Sequence, residues 1–266
     1  MNIFMHELQA SRKSTMIWSL SLAAIVVFYM ALYPSFARDA AEFTKILEGY
    51  PETIRNALGI NLGGFFTILG FYCFPLAFIS LCGAIQAMNL GTSIVSKEVR
   101  EKTADFLLTK PVTRTTILTA KLLAALTSLV ITNIVYLAAA SIMVFQVKTE
   151  DFSFQLFILL SLTLLFIQLI FLALGVIISV IVPKIKSVLT VSLATVFGFY
   201  FLGMLSGGTS GEEAKRYLSP FKYFETGYIL KHASFEAPFL MTGAIIIILA
   251  IAASYLVYAK KDIHAV

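Results

Sequence analysis

The amino-acid sequence predicts an all-α integral membrane protein, with six transmembrane helices in one domain over residues 1–266. Hydrophobic residues make up 59% of the chain and charged residues 13%, with a mean hydropathy of +0.88. Soluble domains contain about 25% charged residues, so this composition indicates a chain embedded in a membrane. The apolar residues fall into six runs, and crossing a bilayer takes roughly 20 residues of helix. We therefore predict spans at about 16–33, 62–95, 117–145, 154–182, 187–205 and 239–259.

The residues before the first span predict a short amphipathic helix lying at the inner membrane surface. Residues 1–15 place apolar side chains on one side of such a helix and polar ones elsewhere. A disordered tail is the alternative for this stretch. A signal peptide is a second interpretation of the run 16–33, because Ser35, Phe36 and Ala37 have the small-x-small form of a cleavage site. The long region before the run favours a transmembrane span.

Two polar segments are predicted on the outer side of the membrane. Segment 34–61 mixes acidic and basic residues and is long enough for one short helix, broken near Gly49 and Pro51. Segment 206–238 starts with several glycines, and its part 217–225 then interleaves aromatic residues with proline and charge. This composition is typical of a segment seated at a membrane interface, and we expect it to be partly re-entrant.

The polar loop 96–114, here called the inner loop, separates the second and third predicted spans. Its first part favours a helix that stops at Lys110, because Pro111 disfavours helical geometry in the residue before it. Thr113 is then well placed to cap the next helix. Phe106, Leu107 and Leu108 form an apolar group within this polar loop. A solvated connector has no need of such a group, so we expect it to dock into a partner, with a plain connector as the alternative.

The distribution of charge predicts which side of the membrane each segment faces. Lys and Arg outnumber Asp and Glu in the segments 1–15, 96–121, 183–187 and 260–266, whereas acidic residues slightly outnumber basic ones in the segments assigned to the outside. Basic loops favour the cytoplasmic side. Both termini and the inner loop are therefore expected in the cytoplasm. The net positive charge of +5 then reflects membrane topology, and we expect no nucleic-acid partner.

Several kinds of chemistry have no residues to support them. No ionisable residue is expected in the middle of a span, which disfavours ion-coupled transport and intramembrane catalysis. The phosphate-binding pattern GxxxxGK[ST] is missing, so any ATP must be bound by another chain. Cys73 and Cys82 show no metal-ligand or disulfide spacing, and we expect no metal site and no catalytic residue.

Gln86, Asn89, Asn133 and Gln168 are the amide residues that lie well inside the predicted spans. Hydrogen bonding between helices is the ordinary role of such residues in membrane bundles. A candidate translocation path lined by them is the alternative. Such a path would be mostly apolar and would suit an amphipathic or lipid-like cargo better than a bare ion, which would lack compensating ligands.

The inner loop resembles the first cytoplasmic loop of type-2 ABC exporter permeases. The resemblance rests on the pattern Glu98-x-x-Glu101-x-Thr103-x-x-Phe106-Leu107-Leu108-x-x-Pro111-x-x-Arg114, followed by Lys121. One departure is Lys102, where many members have Gly. In that family the loop forms a cytoplasmic coupling helix that sits in a groove of an ATPase subunit. The resemblance implies an ATPase interface formed by Glu98, Glu101, Thr103, Phe106, Leu107, Leu108, Pro111 and Arg114.

The same resemblance implies the assembly and location of the protein. Two permeases, either two copies of this chain or the chain and a paralogue, would join two cytoplasmic ABC ATPase subunits in the plasma (inner) membrane of a prokaryote. The ATPase subunits would bind ATP and Mg, and this chain would need no cofactor. Membrane lipids are the other expected partners.

We expect the chain to export an amphipathic or hydrophobic cargo, such as a peptide, an antibiotic or a lipid-like molecule, using ATP hydrolysis by the separate ATPase subunit. The direction of transport follows from the resemblance alone. A membrane scaffold or sensor that recruits a soluble partner and transports nothing is the alternative. A channel is disfavoured, because the sequence has no charged rings or filter-like loop.

Overall fold

The structure, a computed structural model, is all-helical over the residues it describes: 3–39, 46, 49–51, 54, 67–101, 113–148, 151–182, 185–205 and 213–260, without the side chains of 98–101, 213 and 214. Six of its helices are long and apolar enough to cross a membrane. These are α1 (Ile3–Arg38), α2 (Ile68–Glu101), α3 (Arg114–Val147), α4 (Phe154–Ile181), α5 (Val188–Leu205) and α8 (Ala237–Lys260). The short elements α6 (Glu213–Arg216), a 3-10 turn (Pro220–Lys222) and α7 (Thr226–His232) lie between α5 and α8. The prediction of an all-α protein with six helices able to span a membrane is confirmed over the described residues.

The first helix differs from the prediction of a separate surface helix followed by a span. Residues 3–38 form one continuous helix of 36 residues, about 54 Å long, which exceeds the roughly 30 Å thickness of the hydrocarbon core. The hydroxyls of Ser11 and Thr15 donate back to the carbonyls of Leu8 and Ser11, both at 3.1 Å, so these polar residues fit within the helix. No Gly or Pro interrupts the chain before Pro34. Residues 3–15 are therefore the first turns of the helix that forms the first span.

The helices α2 and α4 form the central pair of the bundle. They cross at Gly91 and Gly175, where their backbones touch. A Cβ atom on Gly91 would lie 2.4 Å from the carbonyl oxygen of Leu172, and one on Gly175 would lie 2.8 Å from the carbonyl oxygen of Met88. Only glycine permits this approach, because the atoms in the way belong to the backbone. Membrane helices often pack closely through such small residues.

The remaining long helices surround this pair. The helix α3 packs along α1, α8 packs on α4, and α5 packs on α2. The helices α5 and α8 are the least buried of the six. Their exposed side chains are large and apolar, which suits contact with lipid or another membrane subunit. They include Leu205, Ile245, Ile248, Leu249 and Leu256.

The segment between α5 and α8 folds back onto the bundle. The Ser219 hydroxyl donates to the Phe199 carbonyl at 2.7 Å, and Ser219 also packs against Gly203. Phe199 lies six residues before the end of α5, which corresponds to about 9 Å along that helix. Phe224 stacks on Phe166 of α4. The segment thus reaches well below the end of α5, and its placement at a membrane interface stays a prediction.

Arg216 holds this segment to the start of α8. Its guanidinium donates two hydrogen bonds to Glu236, at 2.6 and 3.1 Å, and one to the Lys222 carbonyl at 3.3 Å. It also lies 3.3 Å from a carboxylate oxygen of Glu225 and 4.1 Å from the centre of the Phe239 ring. Paired, two-point contacts of this kind are the strongest that Arg forms with a carboxylate. One side chain therefore joins Lys222, Glu225 and Glu236 of the segment to Phe239 of α8.

The contact between α2 and α4 gives a first prediction. The variant Gly175→Ala should unfold at a lower temperature than the wild-type protein, because its methyl group meets backbone atoms that cannot rotate away. Such overpacking typically costs about 1–3 kcal/mol. Gly198→Ala is the matched control, since no atom lies within 4 Å of its added Cβ. Thermal unfolding in detergent tests this, and equal transition temperatures for the two variants would contradict the assigned contact.

The Arg216 contacts give a second prediction. Arg216→Ala should increase the rate at which a protease cuts the segment 213–236 in the purified protein, because the variant loses the Glu236 pair and the ring contact together. Arg216→Lys should restore only part of the protection, since an ammonium group cannot make the two-point contact. Lys231→Ala changes an exposed residue of the same segment and serves as the control. Cleavage of Arg216→Ala at the wild-type rate would contradict the role assigned to Arg216.

Candidate functional site

Most of the predicted contact residues in the inner loop lie outside the described residues. The structure follows α2 to Glu101 and resumes at Thr113. Arg114 is the first residue of α3 and is half-buried. Glu98 and Glu101 belong to the last turn of α2, with side chains outside the description. Thr103, Phe106, Leu107, Leu108 and Pro111 are not described, so their role as contacts stays a prediction.

The end of the inner loop is built as the sequence predicts. Thr113 has extended backbone geometry, and its side-chain oxygen accepts a hydrogen bond from the amide of Thr116 at 3.2 Å. This contact satisfies one of the amides that would otherwise lack a partner in the first turn of α3. The predicted cap is confirmed, and it sets the residue at which the inner loop ends and α3 begins.

A buried lysine joins the helices on both sides of the inner loop. Lys121 is 4% exposed, and its ammonium group donates to the Ile94 carbonyl of α2 at 2.8 Å. The same group lies 3.6 Å from a carboxylate oxygen of Glu7 on α1. A buried charge is tolerated only when it is paired and hydrogen-bonded, and both conditions are met here. Lys121 therefore ties α1, α2 and α3 together at the end of the bundle that carries the inner loop.

Three of the four polar span residues meet in one hydrogen-bond network. The Gln86 amide donates to the Thr132 hydroxyl at 2.8 Å, and the Gln168 amide donates to the Gln86 carbonyl oxygen at 3.2 Å. The Asn133 amide donates to Gln168 at 2.6 Å. The Ser19 hydroxyl of α1 donates to Thr132 at 3.1 Å. The network thus links α1, α2, α3 and α4, and Gln86, Thr132 and Gln168 are fully or almost fully buried.

Asn89 lies apart from this network. It faces a separate polar cavity near the inner end of α2, together with Lys97 and Lys121. The candidate path residues are therefore divided between two places. Hydrogen bonding between helices, the alternative that the sequence left open, accounts for the arrangement of Gln86, Asn133 and Gln168. Their role in a path stays a prediction.

The sequence reasoning did not identify the hydroxyl residues and the ion pair that complete these contacts. Ser11, Thr15 and Ser19 recur every four residues on α1, and Ser128, Thr132 and Tyr136 do so on α3. Residues four apart share a face of a helix, so this spacing was a usable signal for two facing polar stripes. The Ser11 and Ser128 hydroxyls lie 3.3 Å apart, which brings the two stripes together. No sequence pattern indicated the ion pair between Glu7 and Lys121, because these two residues are far apart in the sequence.

A second polar cluster lies further along the same helices. The Tyr72 hydroxyl makes a hydrogen bond with the Tyr136 hydroxyl and another with Ser161 at 2.8 Å. All three side chains are buried. Among the residues that the structure describes, no His, Cys, Asp and Glu side chains gather in a group that could hold a metal ion. The buried hydroxyls of Tyr72, Tyr136 and Ser161 thus contact one another across the interfaces of α2, α3 and α4.

The comparison with known proteins agrees with this architecture. The model of the family described as ABC-2 family transporter protein matches residues 1–263. No curated protein matches the chain by sequence. The family match covers nearly the whole chain, including the inner loop and all six long helices. The chain therefore belongs to the ABC-2 transporter family, whose members are membrane subunits of ABC transporters.

Proposed function

We propose that this chain exports an amphipathic or hydrophobic cargo, driven by ATP hydrolysis in a separate cytoplasmic subunit that grips the inner loop. The observation that carries this proposal is the position of the inner loop. It joins α2, half of the central helix pair, to α3, and Lys121 connects the two helices next to it. A force on the loop would therefore act on the most buried part of the bundle.

The proposed contact surface consists of the inner-loop residues that match the family pattern. Phe106, Leu107 and Leu108 would fill a groove of the ATPase subunit, as in other helix-in-groove complexes. Glu98, Glu101 and Arg114 would meet charged groups at its rim, with Thr103 and Pro111 shaping the loop. The ATPase subunit would bind ATP and Mg, and two such subunits would pair with two permeases. A rigid-body tilt of the spans would then expose the cargo to one side at a time.

The arrangement of charges and helix ends supports an inner-membrane location with a cytoplasmic N-terminus. Glu7 contacts Lys121, and Ser11 contacts Ser128, so the start of α1 and the start of α3 lie at the same end of the bundle. The inner loop carries many of the Lys and Arg residues of the chain. Cytoplasmic loops carry such an excess in bacterial membranes. With an even number of spans, the C-terminus would lie on the same side as the N-terminus.

The composition of the spans supports an apolar or amphipathic cargo. Within the described part of the chain, the amide side chains of Gln86, Asn133 and Gln168 are engaged in hydrogen bonds between helices. This leaves apolar surface as the main contact that the bundle offers to a transported molecule. A bare ion would lose its hydration shell there without compensating ligands.

The ATPase contact gives a third prediction. The variant Phe106→Asp should recover much less of the ATPase subunit when the tagged permease is purified in mild detergent, because a charge replaces an apolar side chain in the groove. Membrane insertion of the variant should be unchanged. Met5→Asp is the control, since it introduces the same charge at an exposed apolar position at the same end of the helix bundle. Full recovery of the ATPase with Phe106→Asp would remove the contact assignment and favour the scaffold interpretation.

The polar network gives a fourth prediction, which separates packing from a cargo path. Gln168→Leu should lower the unfolding temperature, because Gln86 and Asn133 each lose a buried partner, and such contacts are worth up to about 2 kcal/mol in membranes. The cargo concentration that half-stimulates ATP turnover should stay at its wild-type value. Asn89→Leu changes a polar residue outside the network and should leave the unfolding temperature unchanged. A shifted half-stimulating concentration at unchanged stability would place Gln168 in the path instead.

A further inference from the structure

A cavity of about 170 Å³ with both polar and apolar walls opens between α1, α2 and α3 beside the Lys121 contact. Its polar lining includes Glu7, Ser14, Asn89, Lys97 and Lys121. Apolar atoms of Leu90, Ile94 and two alanines of α3 complete the walls. None of Gln86, Thr132, Asn133 and Gln168 lines the cavity, and Lys97 belongs to the start of the inner loop.

The size of the cavity limits what it can hold. A volume of about 170 Å³ leaves room for several ordered water molecules. Pockets for drug-sized ligands are usually about 300–1,000 Å³. A cargo molecule of that size does not fit, whereas a single small polar group does.

The chemistry of the lining favours an anion that accepts hydrogen bonds. Two ammonium groups, from Lys97 and Lys121, outnumber the one carboxylate, from Glu7. Lys121 is already bound to Ile94 and Glu7. Among the described residues, the side chains of Ser14, Asn89 and Lys97 contact no hydrogen-bond or ion-pair partner. Within the described residues, these three groups can therefore donate to a ligand without giving up a contact.

For a bilayer centred on α3, the helix length puts the Lys121 side of the cavity near the level of the lipid headgroups. The helix α3 has 34 residues and is about 51 Å long, roughly 20 Å more than the hydrocarbon core. A centred α3 extends about 10 Å beyond the core at each end, and this puts Lys121 near the boundary between acyl chains and headgroups. Large apolar side chains lie exposed within one turn of the cavity residues, including Met16 and Ile17 on α1 and Leu123 on α3. They form a surface along which acyl chains can lie.

We propose that this cavity binds the phosphate group of an anionic phospholipid in the inner leaflet. Lys97 and Asn89 from α2 and Ser14 from α1 would donate to the phosphate oxygens, while Lys121 supplies a second positive charge nearby. A bound headgroup would bridge α1 to α2 next to the inner loop. The site goes beyond the proposed export function and uses it only to name the leaflet.

The test is lipid retention by the purified permease in native mass spectrometry. Phosphatidylglycerol and phosphatidylcholine are added in equal amounts, and the wild-type protein is expected to retain more phosphatidylglycerol. Lys97→Gln should weaken that retention about fivefold, the factor for one Lys near an anionic lipid. Lys13→Gln is the matched control, because it removes an exposed positive charge from the same end of the bundle but outside the cavity. Asn89→Ala provides a second cavity variant that keeps every charge, and its retention should fall about twofold.

Two results would overturn the proposal. One is equal retention of the two lipids by the wild-type protein, and the other is an equal loss in Lys97→Gln and Lys13→Gln. A third arm adds excess inorganic phosphate, which should fail to displace the lipid because it lacks acyl chains. If inorganic phosphate displaces the lipid and this displacement requires Lys97, the ligand of the cavity is free phosphate and not a phospholipid. The assay uses this chain alone, so its failure leaves the ATPase partnership untouched, and loss of that partnership leaves the lipid result standing.

Discussion

The backbone contact between α2 and α4 at Gly91 and Gly175 is the packing on which the rest of the bundle depends. Lipid tails are as apolar as the side chains of these helices, so burial of apolar surface alone does not bring helices together in a membrane. Close van der Waals contact does, and two glycines permit the closest contact available to helices. The helices α8 and α5 then pack on the two members of this pair, while α1 and α3 pack together beside it.

Hydrogen bonds determine the register in which the surrounding helices pack against α2 and α4. The Thr132 hydroxyl donates to the Ser128 carbonyl and accepts from both Gln86 and Ser19, which uses all of its capacity. Each of these bonds is individually modest, because a helix that dissociates within the bilayer finds other partners. Their geometry is nonetheless specific, since a shift of α3 by one residue would move Thr132 off the face that contacts α1 and α2. The apolar contacts hold the helices together, and the polar contacts determine their register.

The positions of the helices could be predicted from the sequence, whereas their pairing could not. Predicted spans at 154–182 and 187–205 match Phe154–Ile181 and Val188–Leu205, because the bilayer sets where apolar residues must begin and end. The sequence of α4 is apolar on every side, so no periodicity identifies its buried face. The continuity of α1 was missed for a related reason. An amphipathic pattern over residues 1–15 is the same whether the polar side faces water or, as here, Ser128 and Lys121 on a neighbouring helix.

At the inner-loop end of the bundle, close helix packing and the polar contacts of Lys121 occur together. This combination explains how a force on the inner loop could act on the whole bundle. The distance along α2 from Glu101 to Gly91 is about 15 Å, and the part of α2 beyond Gly91 extends about 35 Å toward the outer end. In the proposed cycle, α2 tilts about its contact at Gly91. The longer part of α2 then moves further than the shorter part next to the inner loop. Lys121 links the shorter part of α2 to α3 and, through Glu7, to α1. The ends of α1 and α3 would therefore move together with α2. The helix α2 would then pivot at the contact between Gly91 and Gly175, and Lys121 would keep the inner-loop ends of the moving helices together.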